Sequence, residues 1–278
     1  MHATLISAAG LAAHIDDPAW VVVDCRHDLI DLAAGRAAYR AGHVPGAVFA
    51  DMETQLSGAK YDEHGTFRGR HPLPQQAALL ETLRHWGIGD DTQVVAVDAH
   101  GGMYAARLWF LLRWVGHAAV AVLDGGMQAW EAAGQALDTA VPSPAAGALT
   151  RKPALVGTVD ASEVLVHGNI VDARAPDRFR GDNETMDPVG GHIPGAQNRF
   201  FKDNLAPDGR FKDAAQLRAE WAPLVGNAAS SVMQCGSGVT ACHNLLALEV
   251  AGMAGAALYP GSWSEWVADP ARPVATGD

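Results

Sequence analysis

Short apolar runs alternate along the chain with longer segments of helical period. Short apolar runs, several of them rich in Val and ending in a polar residue, are typical of buried strands. They occur at Trp20–Asp24, Val94–Asp98, Ala119–Leu123, Asn169–Asp172, Ser230–Gln234 and Ala256–Tyr259. Helical segments lie between the last two runs of each half, at Met103–Val115 and at about Val239–Ala251. Because strands that alternate with helices favour a parallel sheet covered on both faces, this pattern predicts an α/β fold.

The sequence also contains an internal repeat. Three motifs occur twice in the same order, and the pairs are Val22–Arg26 with Ile170–Arg174, Tyr39–Ala47 with Phe179–Ala196, and Leu123–Trp130 with Tyr259–Trp266. Ordered self-similarity of this kind indicates a duplicated structural unit. We therefore predict two tandem domains, each a mainly parallel sheet flanked by helices, at residues 1–140 and 154–278. A Pro- and Ala-rich linker would join them at residues 141–153.

The composition limits the class of protein. Of the 278 residues, 49% are apolar and 18% are charged, which suits a protein with a sizeable core and excludes a disordered chain. The apolar runs are too short to span a membrane. The net charge of −11 argues against nucleic-acid binding. The cysteines Cys25, Cys235 and Cys242 are too few for a disulfide scaffold, so we expect a reducing, cytoplasmic setting.

The repeat separates residues that support the fold from residues that carry chemistry. A residue present in both copies, such as His43 and His192 of the two Gly-His-x-Pro-Gly-Ala turns, is expected to be structural. The segment Cys235–Thr240 reads Cys-Gly-Ser-Gly-Val-Thr, and its counterpart Val97–Tyr104 contains no thiol. We therefore assign the chemistry to the second domain and predict that the first is non-catalytic.

Cys235 lies between a predicted strand and a predicted helix. Backbone N–H groups and the positive end of the helix dipole converge at such a position, and the two glycines allow successive amides to turn inward as an anion-binding nest. A loop of this kind stabilises a thiolate, which is the reactive form of cysteine. The alternative is a buried small side chain, the role that we assign to Cys25 and Cys242.

Two classes of enzyme place a reactive cysteine in such a loop. Protein phosphatases of the Cys-x5-Arg kind need an arginine at the helix start to clamp phosphate, but residue 241 is Ala. The other class is the sulfurtransferases. Tandem halves with Asp-x-Arg and Gly-His-Ile-Pro-Gly-Ala, together with Cys-Gly-Ser-Gly-Val-Thr and Gly-Ser-Trp-Ser-Glu-Trp, resemble the rhodanese family over nearly the whole chain. The cysteine loop is similar to that of the 3-mercaptopyruvate sulfurtransferases within this family.

The resemblance implies two rhodanese-like domains and a two-step reaction. Cys235 would take a sulfane sulfur from 3-mercaptopyruvate as a persulfide and pass it to a thiol, thioredoxin or cyanide. No metal or organic cofactor is implied. Two alternatives stay open: a thiosulfate:cyanide sulfurtransferase, and a persulfide carrier or regulatory module with little turnover.

The resemblance also assigns substrate-binding residues. Arg178 falls where the family places an arginine for the substrate carboxylate, which an arginine binds well. The 3-mercaptopyruvate group carries a second arginine in the insertion before Gly-His-Ile-Pro-Gly, but the insertion Asp182–Gly190 contains none. Arg199, just after the turn, is the candidate substitute. The loop residues expected to bind the substrate or the persulfide are Gly236, Gly238, Val239 and Thr240.

A proton relay has been proposed for the 3-mercaptopyruvate group, and three residues of this chain match it. They are Ser237 in the cysteine loop, His71 in the segment Arg70-His-Pro-Leu-Pro74, and Glu53, where the family has an aspartate. His71 has no counterpart in the second half, so the resemblance implies a catalytic role for it rather than a structural one.

Overall fold

The computed structural model describes residues 1–278 and divides into two compact units. The first unit comprises Met1–Ser57, Pro74–Leu155 and Pro207–Phe211, and the second comprises Gly58–Leu73, Val156–Ala206 and Lys212–Asp278. The boundaries predicted from the sequence follow chain order and stay a prediction. In the structure, residues 58–73 belong to the second unit although they lie in the first half of the sequence, and residues 207–211 belong to the first.

The first unit contains a five-stranded parallel sheet with the strand order β1-β5-β4-β2-β3. Its strands are β1 (Leu5–Ile6), β2 (Trp20–Asp24), β3 (Val48–Phe49), β4 (Gln93–Val97) and β5 (Val120–Leu123). Its helices are α1 (Ala8–Ala12), α2 (Ala34–Ala41), α3 (Gln76–His85), α4 (Ala105–Trp114) and α5 (Gly126–Ala132). Every residue of β4 is buried, as expected for the central strand of a parallel sheet covered on both faces.

The second unit repeats this sheet, with the order β6-β10-β9-β7-β8 and only parallel pairs. Its strands are β6 (Gly157–Thr158), β7 (Asn169–Asp172), β8 (Gln197–Asn198), β9 (Ser231–Gln234) and β10 (Ala257–Leu258). Its α-helices are α6 (Val164–His167), α7 (Pro176–Arg180), α8 (Ala214–Val225), α9 (Thr240–Val250) and α10 (Ser262–Trp266), with 3₁₀ turns at Phe201–Asn204 and Ala228–Ser230. The predicted α/β class and the duplication are confirmed. None of the helices has both the length and the apolar character needed to cross a membrane.

Residues that the repeat marks as structural make matching contacts in the two units. His43 Nδ1 lies 2.7 Å from the carbonyl oxygen of Tyr39, and His192 Nδ1 lies 2.9 Å from that of Phe179. Each imidazole also stacks on the aromatic ring of the residue whose carbonyl it contacts. Both histidines are buried, and their ring nitrogens contact backbone carbonyls near the turns. These contacts agree with a structural role.

The two Asp-x-Arg motifs are equally alike. Arg26 and Arg174 each form an ion pair with the aspartate two residues earlier, Asp24 and Asp172. Each guanidinium also donates to a backbone carbonyl at the start of the following turn, at 2.7 Å and 2.6 Å. A buried charge needs a partner of this kind to offset its desolvation, so these pairs tie the strand ends to the turns.

Candidate active site

Cys235 directly follows the central strand β9 of the second unit. Its thiol is buried, and the backbone N–H of Gly238 donates a hydrogen bond to Sγ at 3.1 Å. The Cys235 N–H donates to Ser262 Oγ at 3.1 Å, and its carbonyl accepts from Trp263 N–H at 2.9 Å. The cysteine backbone is therefore held rigidly while its sulfur faces an amide of the loop, as the sequence predicts for an anion-binding nest.

The loop depends on its two glycines. Gly238 has φ +76°, and a Cβ at this position would lie 2.3 Å from the carbonyl oxygen of Pro260. A Cβ on Gly236 would lie 2.7 Å from Arg70 Nη2. Only glycine fits the first position without backbone strain, and at the second it leaves room for a cation beside the loop.

The residues after the loop open helix α9. Val239 occupies the N-cap position and Thr240 is the first helical residue. The first amides of a helix have no partner within the helix, and they carry the positive end of its dipole. The five-residue segment 235–239 thus brings the thiol close to a helix N-terminus, in agreement with its predicted place between a strand and a helix.

Two arginine side chains reach the loop at Gly236. Both Nη atoms of Arg178 lie 3.6 Å from the position of a Gly236 Cβ, and Arg70 Nη2 is closer still. Arg178 comes from α7, as the resemblance implies for a carboxylate-binding arginine. Arg70 comes from the segment Gly58–Leu73 of the same unit. A planar guanidinium can bind a carboxylate with two parallel hydrogen bonds, so this pair can hold a small anion next to the thiol.

His71 and Ser237 are in direct contact. His71 Nδ1 lies 2.9 Å from Ser237 Oγ, and both side chains are buried. The segment that carries His71 is fastened next to it, because Arg70 N–H donates to Ser264 Oγ at 3.1 Å. The structure therefore brings together Ser237 and His71, which both match the relay, and Ser237 lies two residues after Cys235 along the loop.

Glu53, the third relay residue, belongs to the first unit. Its carboxylate lies 4.0 Å from Nε2 of the buried His27. Burial lowers the pKa of His27, and this outweighs the opposing effect of the Glu53 charge. The part of Glu53 in a relay stays a prediction.

Arg199 is held elsewhere in the second unit. Its guanidinium pairs with Glu220 of α8, donates to the carbonyl of Asp203 at 3.0 Å, and lies over the indole ring of Trp221. These contacts give no support to Arg199 as the second substrate arginine. Arg70 is instead the second arginine near the loop, since its Nη2 lies closest to Gly236.

Two acidic residues of the insertion contact the arginine pair. Glu184 Oε1 accepts from Arg178 Nη2 at 2.8 Å, and Asp187 contacts both Arg70 Nη1 and Arg178 Nη2. Burial would raise the pKa of Glu184, but hydrogen bonds from Arg178 and from the Met186 amide lower it overall. The pKa of Asp187 is raised, mainly by burial, with a further contribution from the charge of Glu184.

Sequence reasoning missed Arg70, Glu184 and Asp187. The insertion contains no arginine, and its acidic side chains contact arginines from other elements. Arg70 did carry a signal, because it precedes His71 in a segment with no counterpart in the second half. Only the fold shows that this segment packs with the second unit.

The other two cysteines are packing residues, as expected. Cys25 is buried, and burial, followed by the charge of Asp24, raises the pKa of its thiol well above the ordinary value. Cys242 is buried in α9, and its Sγ lies 3.3 Å from the carbonyl oxygen of Gly238. A thiol in either place is poorly suited to nucleophilic attack, because the thiolate is the reactive form.

A five-stranded parallel sheet that occurs twice, with a cysteine loop after the central strand of the second copy, defines a class of tandem-domain protein. The family of rhodanese-like domains matches residues 7–133 and 158–269. The chain therefore belongs to the rhodanese family.

Similar proteins of this family are sulfurtransferases. A protein of Pseudomonas aeruginosa with the name "Probable 3-mercaptopyruvate sulfurtransferase" is 47% identical, with 99% of both chains covered. The mouse thiosulfate sulfurtransferase is 33% identical, covering 96% of this chain and 92% of its own. Among solved structures, the 3-mercaptopyruvate sulfurtransferase of Leishmania major has a TM-score of 0.85 at 30% identity, covering 95% of this chain and 74% of its own.

Proposed function

We propose that this protein is a sulfurtransferase that moves a sulfane sulfur from 3-mercaptopyruvate to a thiol acceptor through a persulfide on Cys235. The observation that carries the proposal is the arrangement around one thiol. The buried Cys235 accepts a hydrogen bond from a loop amide, Ser237 of the same loop contacts His71, and two arginines reach Gly236.

The first half-reaction is a nucleophilic attack by the Cys235 thiolate on the sulfur of the donor. A new S–S bond forms, the C–S bond of the donor breaks, and its electron pair passes to carbon as the enolate of pyruvate. The proton of the donor thiol ends on that carbon, so the products are pyruvate and a Cys235 persulfide anion. The His71–Ser237 pair can accept this proton and return it, since Ser237 Oγ lies 2.9 Å from His71 Nδ1.

The loop and the arginines supply the electrostatic part of the reaction. Arg178 and Arg70 would hold the donor carboxylate beside Gly236 and orient its sulfur toward Cys235. The Gly238 amide, which contacts Sγ at 3.1 Å, and the amides at the start of α9 would stabilise the persulfide anion. In the second half-reaction an acceptor thiolate attacks the outer sulfur and Cys235 leaves as a thiolate.

A thiosulfate donor is the second candidate. The insertion at 182–190 lacks the arginine of the 3-mercaptopyruvate group and places Asp187 on the arginine pair instead. Two guanidinium groups beside a thiol can bind the sulfonate end of thiosulfate as well as a carboxylate. With this donor Cys235 takes the outer sulfur and sulfite leaves with the electron pair of the broken S–S bond.

The acceptor in our proposal is a protein or small-molecule thiol such as thioredoxin, with cyanide as a laboratory substitute. A thiol acceptor is consistent with three buried free cysteines and a reducing cytoplasmic setting. Transfer then occurs by ping-pong kinetics, because the persulfide is formed before the acceptor binds.

The test is an assay with both donors on the wild-type protein and on Cys235→Ser. We expect transfer from 3-mercaptopyruvate with the higher kcat/KM, and complete loss in the variant. Activity that persists in Cys235→Ser contradicts the proposal. A higher kcat/KM for thiosulfate selects the second candidate. A mass gain of one sulfur on Cys235 with negligible turnover on either donor indicates a persulfide carrier instead.

A further inference from the structure

The carboxylate of Asp187 lies between the two arginines that reach the cysteine loop. One of its oxygens pairs with Arg70 Nη1 and the other lies 3.3 Å from Arg178 Nη2. The same two guanidinium groups are the nearest side chains to Gly236. Asp187 therefore presents to Arg70 and Arg178 the same chemical group that an oxo-acid donor would present.

The charges around the arginine pair are balanced without a substrate. Arg70 and Arg178 face Asp187 and Glu184, and both carboxylates are almost fully buried, with 3% of each side chain exposed. Arg174, a neighbouring arginine, forms an ion pair with Asp172, and its Nη1 also lies 3.4 Å from Glu184 Oε2. An incoming anion thus meets a cluster whose charges are already balanced, and it competes with the two internal carboxylates for the arginines.

Glu184 is the more firmly held of the two carboxylates. Arg178 donates to it through both Nε and Nη2, and the amides of Met186 and Asp187 add two more hydrogen bonds. These bonds lower the pKa of Glu184. Burial raises the pKa of Asp187, and so does the charge of Glu184. The charges of Arg70, Arg178 and Arg174 lower this pKa, but the net effect is an increase. Of the two carboxylates, Asp187 is the one whose charged form is less stable in this place.

We propose that Asp187 is a specificity-determining residue that competes internally with the donor for Arg70 and Arg178. In the resting protein its carboxylate occupies the anion site, and donor binding requires that Asp187 be displaced or neutralised by a proton. The residue thereby sets the affinity for anionic donors. The class of donor in this inference rests on the proposed function. The anion site itself is argued from the contacts of Asp187 alone.

The competition is tested by alkylation of Cys235, which requires no sulfur transfer. Iodoacetate carries a carboxylate and iodoacetamide does not, and each alkylates the same thiolate. The ratio of their rate constants, measured by mass spectrometry of the Cys235 peptide, reports the anion site because the thiolate fraction cancels. In Asp187→Asn we expect this ratio to rise about five- to twentyfold, with a parallel fall of KM for both anionic donors.

Two variants serve as controls. Asp182→Asn removes the same charge from the same insertion, but Asp182 pairs with Arg180 and is exposed, so the ratio should stay within about twofold of wild type. Asp187→Glu keeps the charge and should leave the ratio at the wild-type value or below it.

The competition also predicts a pH dependence. As pH falls through the raised pKa of Asp187, the competing carboxylate becomes neutral and the arginines become available. The groups that face Asp187 are Arg70, Arg178, Arg174 and Glu184, and Glu184 titrates at lower pH because its pKa is lowered. The ratio for the wild-type protein should therefore rise toward low pH, and the ratio for Asp187→Asn should be flat over the same range.

An unchanged or lower ratio in Asp187→Asn overturns the proposal and assigns Asp187 the structural role of positioning the arginines. An equal rise in Asp182→Asn also overturns it, because the effect would then be one of net charge. Failure of the proposed function has a different signature: no sulfur transfer from either donor, with the alkylation ratio still responding to Asp187→Asn.

Discussion

The two halves of the molecule place a loop at the same point of the fold, and the two loops begin with different residues. In the first unit Asp98 follows the central strand β4 and precedes α4, and in the second Cys235 follows β9 and precedes α9. The carbonyl of each residue accepts a hydrogen bond from a backbone N–H of the segment after the next strand. Met127 donates to Asp98 at 2.8 Å, and Trp263 donates to Cys235 at 2.9 Å. Asp98 and Cys235 thus occupy equivalent positions in the two sheets, and the loops that follow them surround different side chains.

Asp98 fills its own loop. Its carboxylate accepts hydrogen bonds from four backbone amides, those of His100, Gly102, Tyr104 and Ala105, at distances from 2.8 to 3.0 Å. A loop of this fold can therefore direct several amides at one anionic group. In the second unit the same position carries a thiol, so the anion is formed only when the thiol ionises or becomes a persulfide. One loop stabilises a permanent anion and supports the fold, whereas the other can stabilise a transient anion and support a reaction.

The largest expected effect comes from giving the second loop the residue of the first. Cys235→Asp should reduce sulfur transfer by at least about 10³-fold, because the nucleophile is lost. The unfolding temperature should equal or exceed that of Cys235→Ser, since the loop amides gain a carboxylate to bind. Donor assays and calorimetry measure the two quantities. A Cys235→Asp protein markedly less stable than Cys235→Ser would show that the two loops are not equivalent as anion sites.

The next effect is the reverse experiment in the first unit. Asp98→Ala leaves four loop amides without their acceptor and should lower the free energy of unfolding by about 2–4 kcal/mol. Cys235→Ala removes one amide contact and should cost less than about 1.5 kcal/mol. Denaturant unfolding compares them, and hydrogen exchange of the amides at residues 100–105 locates the change. Equal destabilisation by both variants would contradict the assigned difference between the loops.

A smaller effect is expected from the serine–histidine pair, which the first loop lacks. Ser237→Ala should lower kcat by about 10- to 100-fold with 3-mercaptopyruvate, because the proton path to the enolate is broken. With thiosulfate the loss should be much smaller, since that donor carries no thiol proton to move. Steady-state kinetics with both donors separates the cases. An equal loss with both would indicate that Ser237 acts on Cys235 or on loop structure instead.

How much of this structure the sequence alone predicts depends on whether a feature is encoded by neighbouring residues or by residues far apart in the chain. The long central strands and the helices after them were predicted within a few residues, because buried parallel strands carry a strong apolar pattern. The short edge strands β1, β3, β6 and β8 were missed, since two residues cannot show a period. The loop around Cys235 was predicted because its glycines and its place between strand and helix are local features. Arg70 and Asp187 were missed, because their positions depend on contacts between segments far apart in the chain.

The smallest expected effect concerns the two cysteines outside the loop. Cys25 is fully enclosed and its thiol pKa is raised by burial, and Cys242 is buried in α9. The double variant Cys25→Ala/Cys242→Ala should keep kcat/KM for both donors within about twofold of wild type, although each truncation costs about 1 kcal/mol of stability. In the native wild-type protein, iodoacetamide should modify Cys235 alone, and peptide mass spectrometry detects the adduct. If Cys242 is labelled at a comparable rate, or if the double variant loses the persulfide mass gain on Cys235, then a second thiol takes part. The contrast between the loops would then have to include helix α9, because the second unit would hold two reactive groups where the first holds one carboxylate.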